Sequence, residues 1–131
     1  MGDVRNMSDF SRLRTGPATR PQARTDAVYA RTAADDEAGT ACQGQVREAL
    51  GLVKDPAGAV VYADVRRSGL DAHRPALRRL LTDARRGALR RVVVRDLARL
   101  ARSAALLESI LGELRAAGVE LLTLEGAERH A

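Results

Sequence analysis

The chain has 131 residues and a mass of 14.1 kDa, 45% hydrophobic and 30% charged, enough for one modest core and too little for several domains. Its longest apolar run, Ala59 to Ala63, falls far short of the roughly 18 residues a membrane helix needs. One cysteine, Cys42, and two histidines, His73 and His130, leave neither an internal disulfide nor a Cys/His zinc set, so the expectation is a cytoplasmic protein with no metal and no membrane attachment.

The net charge of +5 is unevenly spread. Residues 66 to 102 hold twelve arginines against three aspartates, a net of +9, which leaves −4 for the remainder. A concentrated arginine stretch suits a polyanion, because each planar guanidinium donates two parallel hydrogen bonds to a phosphate. A solvated arginine-rich surface would show the same bias, and Lys54 is the only lysine.

Residues 1 to 25, with Gly2, Gly16, Pro17, Pro21 and no periodicity, read as a disordered basic arm. From Asp26 short β-rich runs alternate with helical patterns, which predicts an α/β domain over 26–125 with a largely parallel four-stranded sheet and flanking helices. The first strand is Ala27 to Thr32. A helix from about Thr40 places Val46, Ala49, Leu50 and Val53 on one stripe and ends at Gly51 or Pro56. Ala59 to Ala63 reads as a buried second strand, and the polar stretch Asp64 to His73 after it is long enough to be a site loop.

The next helix, Pro75 to Arg86, buries Leu77, Leu80, Leu81 and Ala84, with Pro75 in its first turn and Gly87 just past its end. Val92 to Val94 is the third strand, and Asp96 to Arg102 is the loop that follows it. Ser103 is placed to cap a helix that buries Leu107, Ile110, Leu111 and Leu114 and closes at Gly118. Val119 to Leu124 is the fourth strand, and 126–131 is a short tail. Cys42 reads as a packing residue, and Tyr29 and Tyr62 read as core.

In open α/β sheets the ligand lies outside the carboxyl ends of the strands, so Arg31 and the two loops should converge there. They bring Arg31, Asp64, Ser68, Arg74, Arg99 and Arg102, four cations with one carboxylate and one hydroxyl. Preorganised guanidiniums of this kind stabilise the spread negative charge of a phosphoryl transition state.

Several ordered segments carry a resemblance. They are Tyr29-Ala30-Arg31, Gln45-Val46-Arg47, Tyr62-Ala63-Asp64 with Ser68-Gly69, Arg74-Pro75-Ala76-Leu77, Val92-Val93-Val94 leading into Leu97-Ala98-Arg99-Leu100-Ala101-Arg102, and Gly118-Val119. Over roughly residues 27 to 124 the chain resembles the catalytic domain of the serine recombinases, the resolvase and invertase family. The resemblance implies a resolvase-like fold that binds duplex DNA as a dimer or tetramer, attacks a phosphodiester with a serine and needs no metal or cofactor. It implies that Arg31, Arg74, Arg99 and Arg102 bind the scissile phosphate, that Asp64 and Gln45 support them, and that Ser68 is the mobile-loop serine rather than the nucleophile.

Two departures bear on activity. The family pattern Tyr-x-Arg-Val-Ser is here Tyr29-Ala30-Arg31-Thr32-Ala33, so alanine occupies the nucleophile position, and Ala98 stands where the family has Asp in Leu-Asp-Arg-Leu. Side chains alternate along a strand, so Thr32 should point away from the site. No long dimerisation helix or DNA-binding module is visible after Leu124.

The expectation is a serine-recombinase-like domain for DNA binding and strand exchange, catalytically impaired. Its partners would be duplex DNA and, through assembly, copies of itself or an active recombinase. The alternatives are a strand-transfer enzyme using Thr32 or Ser68, or a non-enzymatic phosphate- or nucleotide-binding α/β module, for which no glycine-rich phosphate loop is present.

Overall fold

The computed structural model describes residues 24–68 and 74–124, and the backbone of 129–130. Of the arm expected over residues 1–25, residues 1–23 lie outside the described residues, as do Gly69 and His73, while Thr25 already opens the first strand. The elements are β1 (Thr25–Arg31), α1 (Thr40–Leu50), β2 (Val60–Asp64), α2 (Pro75–Arg85), β3 (Leu89–Val94), α3 (Leu97–Leu100), α4 (Ala104–Ala116), β4 (Glu120–Thr123) and β5 (Arg129–His130).

The sheet order is β2-β1-β3-β4-β5. The first four strands pair in parallel, which is the expected sheet, and β5 adds two antiparallel residues at the β4 edge, within the stretch expected to be a tail. Because β1 is followed by a strand on one side and later by β3 on the other, the chain reverses direction across the sheet between β1 and β3. Such a switch point opens a crevice at the strand carboxyl ends.

Each sheet face has its own apolar cluster. On one, Val28 and Val93 pack beneath Ala49 and Val53, with Val46 and Leu50 at the margin. Val53 lies beyond the end of α1 and reaches the cluster from the turn after Gly51. On the other, Tyr29, Val92 and Val94 meet Leu77 and Leu80 of α2 and Ile110 and Leu114 of α4. Leu81, Leu107 and Leu111 flank this cluster partly buried.

Two expectations are corrected. β2 is an edge strand, so Val60 and Val61 are 38% and 45% exposed and only Tyr62 and Asp64 turn inward. An edge strand has one free flank, and five apolar letters in a row cannot distinguish it from a central one. The loop over 96–102 contains a single helical turn, α3, capped by Asp96, whose carboxylate accepts from the Arg99 N–H.

The expected caps are in place where backbone geometry requires them. Ser103 Oγ accepts from the Leu106 N–H. Gly87 and Gly118 adopt φ of 79° and 73° after α2 and α4, a conformation that a side chain would oppose.

Candidate functional site

The carboxyl edge of β1 is built around the main chain of Arg31. β3 ends at Val94 opposite Tyr29, so the Arg31 N–H and C=O extend past the last paired residue on that side. The Gln45 carboxamide of α1 takes both, accepting from the N–H at 3.2 Å and donating to the carbonyl at 3.1 Å. A buried amide pair of this kind extends the strand by one residue and fixes where its side chain leaves the sheet.

From there the Arg31 guanidinium spans both site loops. Nη1 donates to Arg67 O at 2.9 Å, Nη2 to Ala98 O at 2.9 Å and Nε to Arg99 O at 3.1 Å. Burial, with the guanidiniums of Arg74 and Arg99 and, more weakly, Arg102 nearby, pulls its pKa below the ordinary arginine value. Arg31 and Arg74 meet at the Arg99 carbonyl, which brings these three predicted arginines to one edge.

Arg74 is fully buried and anchors a second chain of contacts. Its Nη1 donates to the Tyr29 hydroxyl at 3.2 Å and to Arg99 O at 2.9 Å, and its Nη2 donates to Leu100 O. Tyr29 in turn donates to Asp64 Oδ2 at 2.7 Å. Asp64 also accepts from the Ala76 and Leu77 N–H groups, and so serves as the side-chain cap of α2. Burial, then the bond to Asp64, pushes the Tyr29 hydroxyl well above the usual tyrosine range. The Tyr29 ring is core, as expected, and its hydroxyl also joins Arg74 to Asp64.

Arg99 and Arg102 differ from this pair. Arg102 is exposed, and the Arg99 side chain is 29% exposed, with Nε buried without a hydrogen bond and 3.5 Å from Asp96. Ala98, where the resemblance leads one to expect aspartate, contributes its main-chain carbonyl to Arg31 and no carboxylate to Arg99.

Ala33 is exposed two residues past the end of β1. It lines an open cleft of about 570 Å³ with Gln45, Glu48, Arg95 and Arg99. Thr32, buried beside it, lines the same cleft together with Asp36 and the α1 residues Ala41 and Gly44, contrary to the expectation from strand alternation, and its hydroxyl donates to Asp36 Oδ2 at 2.8 Å. Asp36 is not among the residues the sequence singles out. It accepts from the Ala41 and Cys42 N–H groups as well, and is thus the working N-terminal cap of α1, whose nominal cap position is Gly39. Partial desolvation raises the Asp36 carboxyl, but these hydrogen bonds and the charge of Arg66 outweigh it and hold it below the ordinary carboxylate value. Its only sequence signal is an aspartate several residues ahead of the helix, a spacing longer than a standard cap.

The site loop after β2 starts under strain. Arg66 has φ of 63°, unusual for a residue with a side chain, and its N–H reaches Thr32 Oγ1 at 3.4 Å while Arg67 N–H donates to Thr32 O at 2.8 Å. Ser68 is exposed on the same loop. No helix among the described residues is long and apolar enough to cross a membrane, and no cluster of potential metal ligands is found among them.

Residues 27–130 match the resolvase N-terminal domain family. Among solved structures, the N-terminal catalytic domain of TP901-1 integrase is 24% identical, with 81% of each chain covered and a TM-score of 0.66. A serine recombinase from Sulfolobus solfataricus is 26% identical over 78% of this chain and 69% of its own, with a TM-score of 0.67. A resolvase family site-specific recombinase from Streptococcus pneumoniae is 23% identical over 82% and 76%, with a TM-score of 0.64. No curated protein matches. With the family matched over most of its length, the chain belongs to the serine recombinases through their resolvase-type catalytic domain.

Proposed function

We propose that this domain binds duplex DNA at its carboxyl edge, chiefly through Arg99 and Arg102, and does not cleave it by the serine route of its family. The observation that carries the reading is Ala33, a methyl group at the position of the family's nucleophile, on the rim of a cleft that also holds Arg99. A methyl group forms no phosphoester, so the covalent intermediate has no carrier there. Arg99 and Arg102 supply positive charge that is only partly neutralised, and they suit phosphate oxygens whether or not the bond is broken.

Thr32 lines the same cleft as Ala33, but its hydroxyl is committed to the Asp36 carboxylate, which argues against it as a substitute. Retention of fold and surface without a nucleophile leaves occupancy of DNA, as a homo-oligomer or in mixed assembly with an active recombinase, as the function open to the domain. The family supplies the expectation of oligomers on DNA.

The test is fluorescence anisotropy of a labelled duplex across a salt series, with the parent chain and the Arg99→Ala/Arg102→Ala variant. Binding that weakens with salt, with the logarithmic slope smaller in the variant by about 0.9 for each phosphate it no longer neutralises, supports the reading. Binding indifferent to both arginines overturns it. On denaturing gels the parent should give no protein–DNA adduct and Ala33→Ser should give one. An adduct from the parent, abolished by Thr32→Val or Ser68→Ala, would instead establish a substitute nucleophile.

A further inference from the structure

The arginines of the basic stretch divide into two kinds. On several elements they face carboxylates: Arg85 with Glu113 at 2.6 Å, Arg90 with Asp26 at 3.0 Å, Arg91 with Glu120 at 2.7 Å and Arg95 with Glu48 at 3.4 Å. On the outer face of α2 they do not. Arg78, Arg79 and Arg86 are exposed and line one open groove of about 530 Å³ with Thr82 and Asp83. No described carboxylate forms an ion pair with any of the three.

Asp83 shares the groove and offsets one of the three charges at a distance, but it forms an ion pair with none of them. Its Oδ2 accepts from the Tyr62 hydroxyl at 2.5 Å, which draws the carboxylate toward β2. Arg78, Thr82 and Arg86 recur at four-residue intervals, with Arg79 beside the first and two turns from the last, so one helix face carries all three cations. At 1.5 Å per residue, the Cα atoms of Arg78 and Arg86 lie about 12 Å apart along the helix. A duplex presents roughly one phosphate charge per 1.7 Å of its axis, so that length faces several phosphates.

We propose that the outer face of α2 is a second phosphate-backbone contact, through Arg78, Arg79 and Arg86, for the same duplex that the carboxyl edge holds. The inference rests on the DNA-binding reading above and adds a surface to it. Continuity favours duplex phosphate over an acidic protein. α2 starts at Pro75 directly after Arg74, whose guanidinium is bonded to Arg99 O and Leu100 O, so the Pro75 end of the groove lies next to the residue that reaches the α3 backbone at the carboxyl edge.

The experiment compares salt slopes of duplex binding for four proteins. These are the parent, Arg78→Gln/Arg79→Gln/Arg86→Gln, Arg99→Ala/Arg102→Ala, and a control, Arg47→Gln/Lys54→Gln/Arg115→Gln, that removes three exposed charges elsewhere. The α2 variant should lower the slope by up to about 2.7, at roughly 0.9 per phosphate, while the control leaves it near the parent value. If the α2 variant matches the control while the edge variant still loses slope, the α2 surface is overturned and the edge reading stands. If the α2 variant loses slope and the edge variant does not, the α2 surface stands and the edge reading falls. Competition by polyglutamate of matched charge as effective as that by unlabelled duplex would overturn phosphate as the ligand, and absence of parent binding at low salt would overturn both.

Discussion

Arg31 and Arg74 are 2% and 0% exposed and give their guanidiniums to the carbonyls of residues 67, 98, 99 and 100, whereas Arg102 faces solvent and Arg99 is half-buried. The four look equivalent in the sequence, yet the first two are tie-bars of the fold. With Tyr29, Asp64 and Gln45 they hold the ends of β1 and β2, the start of α2 and the turn of α3 in register. The contacts of these five residues are those of a structural support and do not by themselves argue for cleavage. On the function proposed above, the residues that bear on chemistry are the exposed Arg102 and the partly exposed Arg99, which would meet phosphate, and Ala33 and Ala98, which stand where the family pattern has serine and aspartate.

This contrast is broken most forcefully by removing a tie-bar. Arg74→Ala leaves the buried Tyr29–Asp64 pair without its cationic neighbour and the Leu100 carbonyl without this donor, while Arg99 O keeps the bond from Arg31 Nε. The expected loss is about 3–5 kcal/mol, the range for stripping one partner from a buried charged network, read from urea unfolding. A loss below about 1 kcal/mol, the scale of an exposed ion pair, would mean that Arg74 is held for the site rather than for the fold. Gln45→Ala should follow, at about 1–3 kcal/mol, because it leaves the Arg31 N–H and C=O buried and unpaired. The Gln45→Leu variant should lose a similar amount despite filling the space, which separates hydrogen bonding from packing.

The Tyr29 hydroxyl gives a smaller effect, confined to high pH. Its folded pKa is raised, by burial first and then by the bond to Asp64, above an unfolded value of about 10. The unfolded chain therefore releases the proton first. Stability is intact below that value and falls as pH climbs past it. Tyr62 shifts the same way, through burial and its bond to Asp83, so Tyr29→Phe should shallow the alkaline loss without abolishing it. An unchanged alkaline limb in thermal melts would show that the Tyr29 hydroxyl does not couple Arg74 to Asp64.

The parallel sheet was legible because hydrophobic period and turn chemistry agree along the chain: Gly87 and Gly118 end the helices they were expected to end, and Ser103 caps α4. The convergence of Arg31 with the loops after β2 and β3 was legible for the same reason, since topology alone sends strand carboxyl ends to one edge. What the sequence hid was the use of each polar group. An arginine code letter does not tell a guanidinium satisfied by carbonyls from one facing water, and the Asp36 cap spans a loop whose geometry no local pattern announces. The edge position of β2 was hidden because it depends on which strands lie beside it, a long-range property.

The smallest stability effect is expected at Arg102, and it sharpens the comparison most. Arg102 is exposed, and its substitution by Ala should change unfolding free energy by no more than about 0.5 kcal/mol, as for surface sites without a buried partner. If the exposed arginines are the functional remainder of the constellation, the same substitution should still weaken duplex binding at low salt and reduce the salt slope by about 0.9. The tie-bars predict the opposite pairing: variants such as Gln45→Ala should lower stability while the folded fraction binds DNA with an unchanged slope. An Arg102→Ala protein that is both as stable and as tightly bound as the parent would place this arginine among the solvated charges and leave phosphate recognition to Arg99 and the face of α2.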